Sequence, residues 1–297
     1  MATSVILPTY TVGTWAANVD DDYGCRWVVT SQTLNSGSTR KMHTTERPFG
    51  MGAYRARSYL GARSDTVQGW CQAPDFAGAA SARDRLLALF ADGGQSILVR
   101  NDGLSSRQLT VELDNAAVKV EPWSDAQGFD WQLQLYAVDP RWLDTAVQTA
   151  GPISVGGAST DGLDFTAGSP GGLDYTAGTP GGLDWGTSGT GGVLALSNTG
   201  TATSFPVFTV TGPVTNPTLT NPATGDVIAY TGLVDVGQAL VIDTSPFSRS
   251  VALNGVDRSG FLASAQWIEI SPGSQASVQF SGTGAGSVTA TWQYAYN

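Results

Sequence analysis

The chain has 297 residues and a net charge of −10, and only 13% of its side chains are charged, against roughly 25% in typical globular proteins. Residues 1–150 hold 13 of the 15 basic side chains, whereas the remainder holds Arg249 and Arg258 against nine acids. This balance excludes nucleic acid and anionic membrane as partners of the second half, because both require clustered cations. No apolar run approaches the roughly 18–20 residues of a membrane span, and the N-terminus lacks the basic region of a signal peptide, so we expect synthesis in the cytosol.

Two domains are expected, because a single core stops growing at roughly 250–300 residues. Residues 1–147 combine strands with one amphipathic helix and predict an α+β domain. The helix is predicted over residues 82–91, with Ser81 as its N-cap and Ala82, Leu86, Leu89 and Phe90 on one apolar stripe. Strands are predicted at residues 26–30, 96–100, 108–113, 117–122 and 130–137.

A decapeptide repeat follows in residues 148–192: GLDFTAGSPG from Gly162, GLDYTAGTPG from Gly172 and GLDWGTSGTG from Gly182. Alternate positions of an extended chain share a face, so each unit presents one leucine beside one aromatic side chain. A unit this short cannot bury such a pair alone, so we interpret the segment as an arm that packs against a neighbour. The packing residues are Leu163, Phe165, Leu173, Tyr175, Leu183 and Trp185. A flexible linker and a sugar-stacking platform are the alternatives.

Residues 193–297 contain candidate strands every 8–12 residues with turn motifs between them, which is typical of a β-sandwich. Within the last part of this region Ile268 and Ile270 are expected in the core. Strands are predicted at residues 193–197, 205–211, 227–230, 239–243, 250–253, 266–270, 277–281 and 287–296.

Residues suited to chemistry are sparse, and we predict no catalytic residue, no cofactor and no metal site. The single histidine, His43, is interpreted as a surface or interface residue. The run Asp20-Asp21-Asp22 lacks the alternate spacing of a calcium loop and is interpreted as a solvated turn. Cys25 and Cys71 are expected to be reduced thiols, although the sequence leaves a bridge between them open.

Residues 40–63 contain six basic side chains and one acid, Glu46, with aromatic residues interleaved. The rest of the chain is acidic, and arginine and aromatic residues are enriched at interfaces, so we predict a contact with another subunit or with a different protein. Nucleic acid is the alternative partner. The strand over residues 131–137 is a second candidate ring-forming segment. The candidate interface residues are Arg40, Arg47, Arg55, Arg57, Arg63, Tyr54 and Tyr59.

Three motifs follow one another along the chain. They are Asp139-Pro140-Arg141-Trp142, then Asn198-Thr199-Gly200 with the following Phe205-Pro206-Val207-Phe208, then Ile270-Ser271-Pro272-Gly273-Ser274. With these motifs in this order and the Gly-Leu-Asp-aromatic repeats between the domains, the chain resembles the siphophage distal tail proteins, whose members in phages of actinobacteria are called minor tail proteins. The resemblance covers most of the chain.

The resemblance implies a fold that is mainly β with one helix. An N-terminal α+β belt domain (residues 1–147, similar to a split β-barrel with one α-helix) is followed by the repeat arm or linker (148–192). A galectin-like β-sandwich (193–297) completes the chain. The implied function is non-enzymatic: a virion protein of the tail tip, assembled in the host cytoplasm, that forms a hexameric ring.

The partners that the resemblance implies are further copies of the chain, the tail tube protein, and the hub and fibre proteins. DNA is expected to pass through the channel of the ring without specific binding, and no membrane is involved. A receptor- or carbohydrate-binding tail protein that uses the sandwich is the alternative function, and a cell-wall hydrolase is a third.

Overall fold

The computed structural model describes residues 7–42, 44–55, 58–114, 118–155 and 192–297, with residue 55 described as backbone only. The chain divides into two compact units, Met1–Ala146 with Ala295–Asn297, and Val147–Tyr294. The predicted fold class, mainly β, is confirmed, and within the described residues one α-helix occurs. At 13 residues this helix is too short to cross a membrane.

The helix α1 is Phe76–Ala88, and the strands are numbered in chain order. Those before the division are β1 (Thr9–Val12), β2 (Trp15–Ala17), β3 (Val19–Asp20), β4 (Arg26–Gln32), β5 (Arg40–Lys41), β6 (Thr44–Glu46), β7 (Ala53–Arg55), β8 (Tyr59–Leu60), β9 (Arg63–Gln72), β10 (Ser96–Asn101), β11 (Ser106–Leu113), β12 (Lys119–Pro122), β13 (Gly128–Ala137) and the start of β14 (Trp142–Ser154). The remaining strands are β15 (Val193–Asn198), β16 (Val207–Thr211), β17 (Val214–Thr220), β18 (Val227–Tyr230), β19 (Leu233–Val234), β20 (Ala239–Asp243), β21 (Ser250–Leu253), β22 (Val256–Asp257), β23 (Leu262–Ala265), β24 (Ser274–Gly284) and β25 (Ser287–Tyr296), with a 3-10 turn at Ser259–Phe261.

The first unit is built around β11, which changes partner along its length. Its first part pairs with β10, which continues to β1 and β2, and its last two residues pair with β13. On the other side β13 pairs with β9, and β9 with β4 and then β3. Every pairing is antiparallel, so the apolar alternate positions of both sets of strands face a shared core.

Aromatic rings fill this core. Trp15 and Trp131 meet edge to face with ring centroids 5.2 Å apart, and Trp27 contacts both tryptophans and Phe129 in the same way. Beside these rings the backbone of β9 approaches that of β4 closely at Gly69, where an added Cβ would lie 1.8 Å from the Val28 carbonyl oxygen. A glycine is therefore obligatory at position 69, beside the bulge in β4.

The helix begins six residues earlier than the sequence predicted. Asp75, not Ser81, is the N-cap, and its carboxylate accepts a 2.6 Å hydrogen bond from the Gly78 amide. The first turn was not predicted because it contains Gly78, and glycine is about 1 kcal/mol less favourable than alanine inside a helix. The buried face is Ala79, Ala82 and Leu86, which extends the predicted stripe by one turn.

The second unit contains two antiparallel sheets. One has the order β22-β21-β20-β16-β25 and ends at β14, and the other has the order β15-β24-β17-β18-β23 with β19 beside β17. The strands predicted at 227–230, 239–243, 250–253 and 287–296 are confirmed with the same bounds. A common core of buried aliphatic residues with Phe208, Phe280 and Trp292 makes this unit a β-sandwich.

One strand prediction was wrong in this unit, and the strands β17, β19, β22 and β23 were not predicted. Residues 266–270 are not a strand, although Ile268 and Ile270 are buried as expected and residue 270 forms an isolated bridge to Ser204. Strand β17 was missed because it contains Pro217. The proline fits because the register shifts between Thr215 and Thr218, which places it at a bulge where no ladder donor is needed.

The two turn motifs of this unit meet at a buried amide, Asn198. Its Nδ2 donates to the carbonyls of Ala202 (2.8 Å) and Ile270 (3.1 Å), and its Oδ1 accepts from the Gly200 amide at 3.0 Å. The Gly273 amide in turn donates to the Gly200 carbonyl at 3.2 Å. Segments more than 70 residues apart in sequence are therefore joined by one side chain.

We expect Asn198→Ala to lower the free energy of unfolding of the second unit by about 2–3 kcal/mol, because buried backbone groups lose their partners. Gln275→Ala is the matched control, since this amide is exposed on β24, and its cost should stay within about 0.5 kcal/mol. Urea denaturation of the full chain measures both. Equal effects would show that the Asn198 bonds contribute nothing to stability.

Candidate subunit interface

The predicted basic segment folds into a β-hairpin, which we call the basic hairpin and define as residues 39–61. Arg40 pairs with Leu60 and Lys41 with Tyr59, and further out β6 pairs with β7. The Arg47 amide donates to the Gly52 carbonyl at 3.2 Å and closes the tip. Residues 43, 56 and 57 of the hairpin, and with them His43 and Arg57, lie outside the described residues.

The tip presents large apolar side chains to solvent. Phe49 and Met51 are fully exposed, and Tyr54 and Tyr59 are more than half exposed. The Arg47 guanidinium lies 5.0 Å from the centre of the Tyr54 ring, so charge and aromatic surface are presented together. A two-stranded hairpin alone is marginally stable in water, and clustered exposed apolar side chains mark interaction sites. These contacts indicate a docking element.

The candidate residues divide into two groups. Arg40, Arg47, Tyr54 and Tyr59 are exposed on the basic hairpin, while Arg55 is described only by its backbone in β7. Arg63 does not join them, because it is 4% exposed. Its Nε donates to Asp65 and its Nη2 to the Leu34 carbonyl, which corrects the prediction that it lies at an interface.

Arg63 instead fixes the base of the basic hairpin. Asp65 also accepts a 3.0 Å hydrogen bond from the Thr33 hydroxyl. Across the same two segments the Thr33 amide donates to the Thr66 carbonyl at 3.0 Å, and the Thr66 amide donates to the Thr33 hydroxyl oxygen at 2.9 Å. The segments entering and leaving the hairpin are therefore tied together by the hydrogen bonds that this buried ion pair of β9 makes to Leu34 and Thr33. A fixed base holds the exposed tip in a defined direction.

The Asp-Pro-Arg-Trp motif packs at the same base. Arg141 binds Asp139 through two nitrogens, at 2.8 and 2.6 Å, and is itself nearly buried. The Trp142 ring centre lies 5.7 Å from the Arg63 guanidinium, and the Ser38 hydroxyl donates to the Pro140 carbonyl at 3.4 Å. The motif thus supports the basic hairpin.

The second predicted ring-forming segment, residues 131–137, is largely paired within its own unit, and its contact with another subunit stays a prediction. It lies within β13, which pairs with β9 along its whole length on one side. On the other side β12 covers residues 129–132 and β11 covers residues 135 and 136. A strand with neighbours on both sides has few free backbone groups to offer another subunit.

The acidic run near the N-terminus has a structural role at its centre. Asp21 accepts hydrogen bonds from the Trp27 indole at 3.1 Å, from Arg85 at 2.9 Å, and from the Tyr23 and Cys25 amides. Burial opposes the charge, but these hydrogen bonds and the Arg85 cation outweigh it and lower the pKa of Asp21. Only Asp20 and Asp22 fit the predicted solvated turn.

The two cysteines are buried and unbridged, as expected. Burial raises the pKa of the Cys71 thiol to about 12, and the pKa of Cys25 is raised for the same reason. A thiol that stays protonated at neutral pH is a poor nucleophile. Among the described residues there is also no group of three histidine, cysteine or carboxylate side chains placed to hold a metal. All six predicted packing residues of the repeats lie outside the described residues.

Comparisons with known proteins agree with this architecture. Residues 199–296 match the family model for the C-terminal domain of the siphovirus-type tail component, named after SPP1 Dit. No curated protein sequence matches the chain. The resemblance to siphophage distal tail proteins is therefore confirmed, on the domain that contains the Asn198 turn motifs.

Solved structures extend the likeness to the whole chain. The crystal structure of SPP1 Dit (gp 19.1), described as a paradigm of the hub adsorption apparatus in phages that infect Gram-positive bacteria, has a TM-score of 0.60 at 12% identity and covers 98% of this chain and 100% of its own. The phage p2 baseplate, in its activated conformation, matches with strontium (TM-score 0.54, 12% identity) and with calcium (0.53, 11%). Each p2 match covers 96% of this chain and 98% of the p2 chain. The fold is therefore that of Dit, with an N-terminal domain followed by a C-terminal β-sandwich.

We expect Asp65→Ala to lower the free energy of unfolding of the first unit by about 3–5 kcal/mol, because it leaves the buried Arg63 guanidinium unpaired. Asp20→Ala removes the partner of Arg26 in an exposed pair with an N–O distance of 3.8 Å, and it should cost less than about 1 kcal/mol. Urea denaturation followed by circular dichroism compares the two. If Asp65→Ala lowered the free energy of unfolding no more than Asp20→Ala does, the role of the Arg63–Asp65 pair at the base of the basic hairpin would be refuted.

Proposed function

We propose that this protein is a structural subunit of a ring at the distal end of a siphophage tail. Six copies close the ring, which joins the tail tube to the hub and fibre proteins and leaves a channel for DNA. The basic hairpin is the observation on which the proposal rests. Its fixed base and fully exposed apolar tip suit a contact between subunits.

A cyclic ring needs a heterologous contact, in which one patch of each copy meets a different patch of the next. A protruding hairpin supplies one half of such a contact. Residues 40–60 contain five basic side chains against Glu46, in a chain whose net charge is −10. The hairpin is therefore electrostatically complementary to the remainder of another copy.

The net charge of −10 also supports a channel that does not bind DNA. An acidic protein repels the DNA phosphates, so DNA passes through the ring without being retained. Beyond residue 150 the chain has only two basic residues, Arg249 and Arg258, so the second unit is also poorly suited to bind nucleic acid. We place the protein in the virion tail tip after assembly in the host cytoplasm. The six repeat residues 163, 165, 173, 175, 183 and 185 stay predicted contacts with a neighbour.

We expect the purified protein to associate into a species of about six chain masses, which electron microscopy shows as an annulus. Phe49→Asp with Met51→Asp should weaken association roughly 30-fold or more, as for one hot-spot residue of about 2 kcal/mol. Light scattering coupled to size exclusion and analytical ultracentrifugation measure the change in mass.

Leu104→Asp is the matched control. Leu104 is 99% exposed at another turn of the same unit, where Asp102 accepts bonds from the Leu104 and Ser105 amides. Association should be unchanged in this variant. A wild-type protein that stays monomeric at all concentrations, alone and on purified tail tubes, would overturn the proposed function.

A further inference from the structure

An apolar pocket opens beside the first turns of α1. It lies between the helix, the end of β12 and the turn into β13, and its lining is apolar except for Arg83. The lining residues are Phe76, Ala79, Ala80, Arg83, Val120, Pro122, Ala126, Gly128 and Phe129. Phe129 and Ala79 form a buried floor, whereas Phe76 is 70% exposed at the rim. An exposed aromatic ring above an apolar floor is surface that a partner can bury.

Small side chains keep the pocket open. Ala79 and Ala80 are adjacent in the helix, so neither fills the space beside Phe76. Gly128 closes the lower wall, where an added Cβ would lie 2.5 Å from the Trp123 ring and 2.7 Å from the Cys71 carbonyl oxygen. The concavity is therefore set by tightly packed neighbours and keeps its shape in the unassembled subunit.

The surroundings of the pocket carry the charge opposite to that of the basic hairpin. Exposed acids flank the lining residues in sequence: Asp75 precedes Phe76, Glu121 separates Val120 from Pro122, and Asp125 precedes Ala126. Asp84 is a fourth exposed acid, but it is paired at 3.2 Å with Arg83, which lines the pocket, and Lys119 is the other basic residue of these segments. The segments 75–84 and 119–126 are thus net acidic, while residues 40–60 are net basic. Complementary charge favours association of the two and orients it.

We propose that the tip of the basic hairpin of one copy, with Phe49 and Met51, docks into this pocket on the next copy. The inference rests on the proposed function and assigns both halves of its subunit contact. The tip touches no side chain of its own chain, since Phe49 and Met51 are fully exposed. A knob on one copy and a pocket on the next make the contact directional, as closure of a ring requires.

The first test is site-directed cross-linking. Met51→Cys and Ala80→Cys are combined in one chain, and mild oxidation should give a ladder of covalent oligomers on denaturing gels. The native Cys25 and Cys71 are buried, so the wild type should give no cross-links. A chain with Leu104→Cys and Ala80→Cys, whose first cysteine is equally exposed, should give no ladder. Absence of a ladder from the Met51–Ala80 pair in assembled rings would overturn the docking site.

The second test fills the pocket. Ala80→Trp should weaken association on the order of tenfold or more, measured by ultracentrifugation, because the tip loses its space. Ser81→Trp is the matched control, since Ser81 is exposed on the same helix and does not line the pocket, and it should associate normally. Circular dichroism confirms that both variants fold.

The outcomes separate the two proposals. If Phe49→Asp with Met51→Asp dissociates the ring but Ala80→Trp leaves it intact, the tip binds elsewhere and the pocket assignment is wrong while the proposed function stands. If the wild-type chain never associates, the proposed function fails and the docking site fails with it. Loss of association in both variants, together with the ladder, is the result we expect.

Discussion

The buried ion pair between Arg63 and Asp65 is the constraint on which the proposed assembly depends. A two-stranded hairpin buries too little to hold its own direction, so its base must be held by the domain. Arg63 also binds the Leu34 carbonyl, and Trp142 packs over it, so both segments of the hairpin and the last strand of the belt converge on one guanidinium. A charge buried at this position is stabilising only while every partner is present.

The second unit uses a neutral group for a similar purpose. Asn198 joins the turn after β15 to the segment that precedes β24, and neither turn motif alone contains the whole network. This explains why these two motifs, distant in sequence, occur together: each supplies half of the donors and acceptors of one hydrogen-bond network. Within residues 266–270, the backbone of Ile270 bonds to Ser204 and Asn198, whereas the Gln266 amide bonds to the Val227 carbonyl of β18, so the segment follows no single neighbouring strand.

Sequence patterns predicted the helix and part of the strands of both units, but they missed other strands, among them β1, β9, β14 and β17. Four strands of the second unit have the predicted bounds because alternation and turn residues agree there. The start of α1 was misplaced because Gly78 conceals the first turn. Arg63 was assigned to an interface because it lies near other basic residues, yet Asp65, Val67 and Cys71 follow it at alternate positions on the same inward face of β9. That alternation was the available signal. The pocket beside α1 had none, because its walls come from separate segments.

The enclosed thiols have a consequence for the virion that we propose. Outside its host a phage is exposed to oxygen, and thiolates then oxidise to sulfenic acids and mixed disulfides. Burial raises the pKa of both thiols and separates both sulfur atoms from solvent, so little thiolate is accessible to oxidants outside the protein. Neither cysteine is therefore placed to form a disulfide bridge with a neighbouring virion.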